Sequence, residues 1–534
     1  MGIPSYFSHI VRSHRSIIKK YNPLVTKMDN LYLDCNSIIY DSVREITDIH
    51  NSGAFEKRLI DAVNQKIVYY INLIKPRRRV FIAFDGVAPV AKLDQQRNRR
   101  YKSWFEKHIC ESVDGSQKSS TFQWNTVSIT PGTEFMDKLG RGVHQFFRNK
   151  KKFGLEELIV SPSDEAGEGE HKIYEYIRDN AEYHESSSTA IYGLDADLIM
   201  LTLNHLHISN RLYLFRETPH FIKSIDRTLD PNTNYLMDIP ELAIKLVEDF
   251  RSDLKNNNGA CSPQEQKRVI FDYILLCFFL GNDFMPHFPA LNIRTDGIAR
   301  LIGTYKDVLM SKKEYLTDGK NIIWKNLRKF IGALSENEHS YITTEYGKRR
   351  KLRPRYNKDK EEDRVFNALM DVPIKDRGCE EYINPFEGGW RERYYKELFG
   401  IDIDDTRCKE ICKNYLEGLE WTMNYYTTGC KDWRWTYKYE YPPLLVDLAK
   451  YIPYFDVELL EKRDKNPVKD WVQLSYVVPR PYLGLLPKGL DKRLLEAHDD
   501  WYATDCAIKW SFCRYFWESH VILPDIDIDK LEML

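Results

Sequence analysis

The chain has 534 residues, 43% of them hydrophobic and 13% aromatic, with 78 Lys or Arg against 79 Asp or Glu for a formal net charge of -1. That balance excludes a uniformly cationic nucleic-acid coat but leaves room for locally segregated charge, and the apolar content excludes a disordered chain. The length allows three or four domains, or one large domain with insertions.

The N-terminal stretch MGIPSYFSHIVRSHRSIIKK mixes cations with apolar residues and has no continuous apolar core of signal-peptide type. Tyr6 stands where N-myristoylation needs Ser or Thr. No apolar run is long enough for a transmembrane helix, so no membrane partner is expected. Up to about residue 310, apolar strand-like runs alternate with helical patterns. LYLD (31–34), VFIAFD (80–85), LEELIV (155–160) and TAIYGLD (189–195) read as buried strands, with helices over 56–74 and 168–178 among the segments between them. Alternation of this kind predicts an α/β fold with a mainly parallel central sheet flanked by helices.

Residues 75–107 hold ten Lys or Arg against three acids, a local excess of seven. Within it, AKLDQQRNRRYKSW (91–104) places Lys92, Gln96, Arg99 and Arg100 on one helix face. A point charge, an amide donor and guanidinium forks suit a terminal phosphate, and a solvated basic helix is the plain alternative. Further on, KRRKLRPRYNKDK (348–360) holds eight basic residues and one acid and reads as an exposed linker or arm. The remainder, about 365–534, is rich in Trp and Tyr. The ten cysteines form no CxxC pair; Cys408 and Cys412 share a helix face but lack a partner pair at zinc spacing, so reduced thiols are expected.

The acids carry the strongest signal. Asp34 and Asp85 end the first two strands, Glu168 and Glu170 follow the third in SPSDEAGEGEHKI (161–173), and Asp195 and Asp197 end the fourth in YGLDADL. Asp283 follows an apolar helical run, in FFLGNDFMP (278–286). In an open α/β sheet, ligands bind beyond the carboxyl ends of the strands. Seven carboxylates converging there need cations, and carboxylates without His or Cys partners select hard ions, Mg²⁺ or Mn²⁺. Two such ions are the usual device for cleaving phosphodiesters. No GxSxG elbow, GxxxxGK(S/T) phosphate loop, GxGxxG turn or HExxH pair offers a rival chemistry. His171, inside the acid cluster and without a His partner, reads as a helix-surface or supporting residue.

These residues resemble the Xrn family of 5′→3′ exoribonucleases. MGIPSYF (1–7), LYLDCNSIIY (31–40), FIAFDGVAPVAKLDQQRNRRY (81–101), ITPGTEFM (129–136), GEGEHKIYEYIR (167–178), IYGLDADLIML (191–201) and CFFLGNDFMPHFPALNIR (277–294) are similar to its first conserved region. GLEWTMNYYTTGCKDWRWTYKYEYPP (418–443) and WVQLSYVVP (471–479) are similar to its second. The resemblance implies a sheet of PIN or flap-nuclease type with a mostly helical second region packed on it. It implies a catalytic region over 1–310, a charged linker over 311–364 and the second region over 365–534. It makes Asp34, Asp85, Glu168, Glu170, Asp195, Asp197 and Asp283 ligands of two Mg²⁺ or Mn²⁺ ions, and Lys92, Gln96, Arg99 and Arg100 the grip on a 5′-monophosphate.

The family stacks the first bases in an aromatic clamp. Tyr40 stands where the family has a His, and Trp433 or Trp435 supplies the opposite ring. The implied activity is processive, two-metal hydrolysis of decapped, single-stranded RNA to 5′-mononucleotides, with a decapping enzyme acting upstream in mRNA degradation. The chain stops at 534, and residues 198–260 contain no Cys where the nuclear branch carries a Cys-rich insert. The expectation is a compact, monomeric, cytoplasmic-type core that would suit a virus or reduced genome. The alternatives are a structure-specific DNA flap nuclease and a catalytically dead RNA-binding scaffold.

Overall fold

A computed structural model of the chain describes residue 3 and residues 5–47, 51–113, 124–217, 222–230, 232–252, 261–354, 364–461 and 466–534. In chain order the first half runs α1 (Tyr6–Ser13), β1 (Ile18–Lys20), β2 (Asn30–Asp34), α2 (Asn36–Glu45), α3 (Ser52–Ile74), β3 (Arg79–Ala83), α4 (Val90–Val113), α5 (Glu134–Phe147), β4 (Glu157–Ser161), α6 (Gly169–Asp179), α7 (Ala181–Ser186), β5 (Thr189–Tyr192), α8 (Asp197–His205), β6 (Leu212–Arg216) and β7 (Tyr235–Asp238).

The sheet order is β1-β7-β6-β5-β2-β3-β4. From β6 to β4 all neighbours are parallel, while β7 pairs antiparallel with β6 and β1. Helices bury both faces, which is why these strands read as continuous apolar runs rather than alternating ones. Leu31, Leu33, Val80, Ile82, Ala190 and Tyr192 face the core built with α2, α3 and α5. Tyr32, Phe81, Ile191, Leu212 and Leu214 face the core shared with α1, α6, α8 and the later helices. The expected mainly parallel sheet is present. The strands β1, β6 and β7 were not anticipated, and β6 and β7 are short segments whose apolar residues do not stand out from the helical pattern around them.

Beyond residue 260 helices predominate, including Pro263–Phe278, Trp324–Glu336, Glu338–Arg350, Asp405–Thr427 and Asp470–Val477, joined by irregular segments and one small antiparallel pair, Ile508–Lys509 with His520–Val521. Over 311–364 the structure differs from a charged linker. Trp324, Leu327, Phe330, Ile331 and Leu334 bury one stripe of a helix in the main core. Arg349, inside the basic run, is also buried, with Nη2 2.6 Å from Glu380 Oε1. Charge density in sequence did not mark solvent at Arg349, because Glu380, distant in sequence, meets it; residues 355–360 of that run lie outside the described residues. A third apolar cluster packs the start of α4 (Val90, Leu93) against Val472, Leu474 and Tyr476. The two halves therefore share cores and are not beads on a string.

Candidate active site

The acids gather at the carboxyl edge of the parallel strands, though not as strand-end residues in every case. β2 ends on Asp34, but β3 and β5 end at Ala83 and Tyr192, so Asp85 and Asp195 sit in the following loops. Asp197 opens α8, and Glu168 is the N-cap residue of α6. Asn36 Nδ2 donates to Asp85 Oδ2 at 2.5 Å, and the Asp85 amide returns a bond to Asn36 Oδ1 at 3.1 Å. The Gly169 amide donates to Asp85 Oδ1 at 2.7 Å, so the positive N-terminal end of α6 faces the acids. Only glycine allows that approach, since a Cβ on Gly169 would stand 2.6 Å from Asp34 Oδ1.

All seven expected acids influence one another. Burial, then Asp85 and Asp195, pushes the Asp34 carboxyl well above the usual carboxylate range. Burial, then Asp195 and Asp197, does the same to Glu170. Asp197 is pushed up to about 7 by burial and by Asp283. Burial also raises Glu168, against the pull of Lys92. Asp283 is the exception: burial works to raise it, but the Lys92 ammonium beside it holds it well below the usual range. Lys92 Nζ lies 2.5 Å from Glu168 Oε2 and 2.7 Å from Asp283 Oδ2, and Tyr425 donates to Glu168 Oε1 at 3.0 Å.

Buried oxygens left without a hydrogen-bond donor, Asp34 Oδ1 and Glu170 Oε2, are what a cation would satisfy. The donor set is all carboxylate, which fits a hard divalent ion. Among the described residues, no three His, Cys, Asp or Glu side chains are already drawn into a coordination shell.

The α4 face meets this edge. Lys92 and Gln96 are both 9% exposed, and Gln96 Oε1 and Arg100 Nε lack hydrogen-bond partners. Burial brings the Arg100 guanidinium down to about 10; Tyr40 and Asp85 oppose that fall and Arg99 adds to it. Arg99 is exposed and Tyr40 half-buried. The tryptophans separate. Trp435 is 6% exposed and stacks on Trp421 at 5.2 Å and 24°, whereas Trp433 is half-buried and its carbonyl accepts the Val90 amide at 3.0 Å. His171 is not on the helix surface: it is buried and stacked on Tyr425 at 3.7 Å.

The local cationic excess does not act as one patch. Arg77, Arg78 and Arg79 pair with Asp29, Glu156 and Glu157 at the far end of the sheet. Arg97 donates to the carbonyls of Pro524 and Trp501, and Lys102 to those of Trp517 and Ser519. Asp94 accepts from Thr436 Oγ1 at 2.6 Å and from the Tyr476 hydroxyl. One face of α4 thus turns to the acids while the other is bonded to the C-terminal region. Sequence reasoning missed Asn36 and Tyr425, which fix Asp85 and Glu168. Asn36, two residues after Asp34 at the start of a helix, had a readable signal; Tyr425, one ring among several near the end of the long helix Asp405–Thr427, had none.

Two family models match the chain: "XRN 5'-3' exonuclease N-terminus" over residues 1–218, and "Xrn1 helical domain" over 263–372 and 357–533. Among curated proteins it is similar to a chicken (Gallus gallus) 5'-3' exoribonuclease 2, 26% identical over 99% of this chain and 69% of that protein. It is also similar to a human 5'-3' exoribonuclease 1, 28% identical over 99% of this chain. The chain spans only 34% of that human protein's length. Among solved structures, "The catalytic core of Rad2 in complex with DNA substrate" aligns with a TM-score of 0.32 and 13% identity, over 69% of this chain and 86% of that one.

Proposed function

The chain belongs to the XRN family of 5′-3′ exonucleases, and on that premise we propose that it is a processive 5′→3′ exoribonuclease releasing 5′-mononucleotides from single-stranded RNA with a 5′-monophosphate. The observation that carries this reading is the meeting of α4 with the acid edge, where Lys92 Nζ reaches Glu168 and Asp283 at 2.5 and 2.7 Å. Phosphate-binding groups and a carboxylate crevice are one place, so a chain held by its end presents its first linkage to the acids.

Each residue has a part in this proposal. Gln96, Arg99 and Arg100 hold the terminal phosphate, the guanidinium forks matching its oxygens. Lys92, now the counter-charge of Glu168 and Asp283, stands where it can share its charge with that phosphate. Asp34, Asp85, Glu168, Glu170, Asp195, Asp197 and Asp283 hold two Mg²⁺ or Mn²⁺ ions. Such a pair supplies Lewis acidity for breaking a phosphodiester. Tyr40 and Trp433 stack the first base, Trp433 because its ring is not committed to the core. In this proposal these few donors match a monophosphate and not a triphosphate or cap, so removal of the cap by another enzyme precedes decay. mRNA degradation as a monomer in the cytoplasm completes the proposal.

The test is an assay on one RNA sequence with monophosphate, hydroxyl, triphosphate and capped 5′ ends, beside 5′ DNA flaps. Monophosphorylated RNA is degraded fastest and to mononucleotides. Preferred cleavage of the flaps would replace this reading with the flap-nuclease one, and inertness on every substrate with the scaffold reading. Arg100→Ala narrows the rate gap between monophosphate and hydroxyl RNA; an unchanged gap removes Arg100 from the pocket.

A further inference from the structure

We propose that Arg216 anchors the RNA phosphate on the 3′ side of the scissile linkage, so that the substrate backbone is held on both sides of the acids. The inference rests on the exoribonuclease reading and adds a binding residue on the opposite side of the crevice from α4.

Its position follows from strand order. β6 lies beside β5 in parallel register, with Phe215 opposite Tyr192 and the Gly193 amide donating to the Phe215 carbonyl at 3.3 Å. Arg216 therefore emerges level with Gly193, where β5 turns into the loop that carries Asp195. That turn lies against Asp34, since a Cβ on Gly193 would stand 3.6 Å from the Asp34 Cβ. α4 follows β3, and the order β6-β5-β2-β3 puts Asp34, Asp85 and Asp195 between α4 and Arg216. Three strand spacings of roughly 4.8 Å separate β6 from β3. This is about two internucleotide steps of an extended single strand.

The side chain is built for an anion. It is mostly withdrawn from solvent, and its guanidinium sits 4.2 Å over the Phe7 ring of α1, which fixes its plane. Its Nε has no hydrogen-bond partner. Burial disfavours its charge, and Asp195 is the strongest group opposing that effect. Asp195 offsets part of the cost of withdrawing this guanidinium from water, and the unpaired Nε–H is the donor left over for an anion. A phosphate oxygen accepts from that Nε–H, which has no partner now, through a charge-assisted bond. With the terminal phosphate on α4 and the first linkage at the acids, the next phosphate is the one that reaches Arg216. Such an anchor fixes which linkage is cut.

The experiment uses the full chain and 5′-monophosphorylated oligoribonucleotides in which one internal phosphate at a time is an uncharged methylphosphonate. The single-turnover rate of release of the first nucleotide is read. Neutralising the second internal linkage slows the wild type about tenfold, the size expected for losing a hydrogen bond to a charged group, and neutralising distant linkages does not. Arg216→Gln is about tenfold slower on unmodified RNA, is not slowed further by the neutral second linkage, and keeps its preference for a 5′-monophosphate over a 5′-hydroxyl. A wild type indifferent to the second linkage overturns the proposal however the variant folds, as does an Arg216→Gln protein that remains as sensitive as the wild type. Failure of the wild type on unmodified RNA is read first and overturns the exoribonuclease reading along with this one.

Discussion

Asp272 and Glu380, in the helical half, are buried like Glu170 at the sheet edge, yet their oxygens are treated in opposite ways. Asp272 accepts from the Tyr305 hydroxyl, the amides of Leu316 and Thr317 and the Thr317 hydroxyl, all at 2.6 to 2.8 Å. Glu380 takes the forks of Arg349 and Arg377 and the Phe512 amide. Glu170 Oε2 and Asp34 Oδ1 take nothing. The helical half closes its buried acids with its own donors, whereas the sheet edge leaves an oxygen open on Glu170 and on Asp34 even though Asp85, Glu168 and Asp283 beside them have partners. Those open oxygens, rather than burial or acidity, are what the proposed cation site rests on.

The strongest way to break this contrast is to neutralise one acid of each kind. Asp34→Asn lowers exonuclease activity on the order of 10³-fold, since positioning of the cations is lost, while the melting temperature holds or rises because like-charge repulsion is relieved. A variant that keeps its activity would place Asp34 with the closed acids of the helical half. Glu380→Ala does the reverse: it strands Arg349 without its partner and costs about 3–5 kcal/mol of stability in chemical denaturation, with the folded fraction still active.

The tryptophans extend the comparison. Trp435→Ala opens a core cavity costing about 3–5 kcal/mol of stability. Trp433→Ala weakens RNA binding by about 1–3 kcal/mol, the worth of one stacked base, and leaves denaturation nearly unchanged. Equal effects on both measurements would erase the distinction between a core ring and a stacking ring.

The smallest effect concerns pH. Asp34 and Glu170 sit well above their unfolded values and Asp197 at about 7, so each favours the folded state when protonated. Their contribution is full below the ordinary carboxylate range and is lost as pH rises through their folded values. In chelator, the melting temperature therefore falls between pH 6 and pH 8, and Mg²⁺ flattens that fall by binding the ionised acids. Asp272 and Glu338, also pushed to about 7 by burial, leave a part of the slope that Mg²⁺ does not touch. Identical slopes with and without Mg²⁺ would mean that the crevice acids bind no cation.

Much of the site was legible because strands leave their ends in sequence. Apolar runs such as LYLD and TAIY named the parallel strands, and acids after them marked one edge. The Lys92, Gln96, Arg100 spacing named a helix face, which holds in α4. The pairing of that face with Glu168 and Asp283, about 75 to 190 residues away, was not legible as a contact. Neither was the fate of the other cations of 75–107, because a basic residue reads the same whether it meets RNA, a carboxylate or a backbone carbonyl. The charged segment 311–364 misled for that reason: Arg349 was hidden by Glu380 rather than exposed.

The sequence by itself determined the α/β class, the acid edge, the basic helix face and the family, since periodicity, strand-end chemistry and long motifs are local properties. The tertiary structure decided which acids are left unsatisfied, which tryptophan keeps a free ring, which cations are already committed and that Arg216 borders the crevice. Those are questions of who neutralises whom. Coulombic and hydrogen-bond partners are chosen in space, across strands and cores that bring distant residues together, and no single segment carries that information.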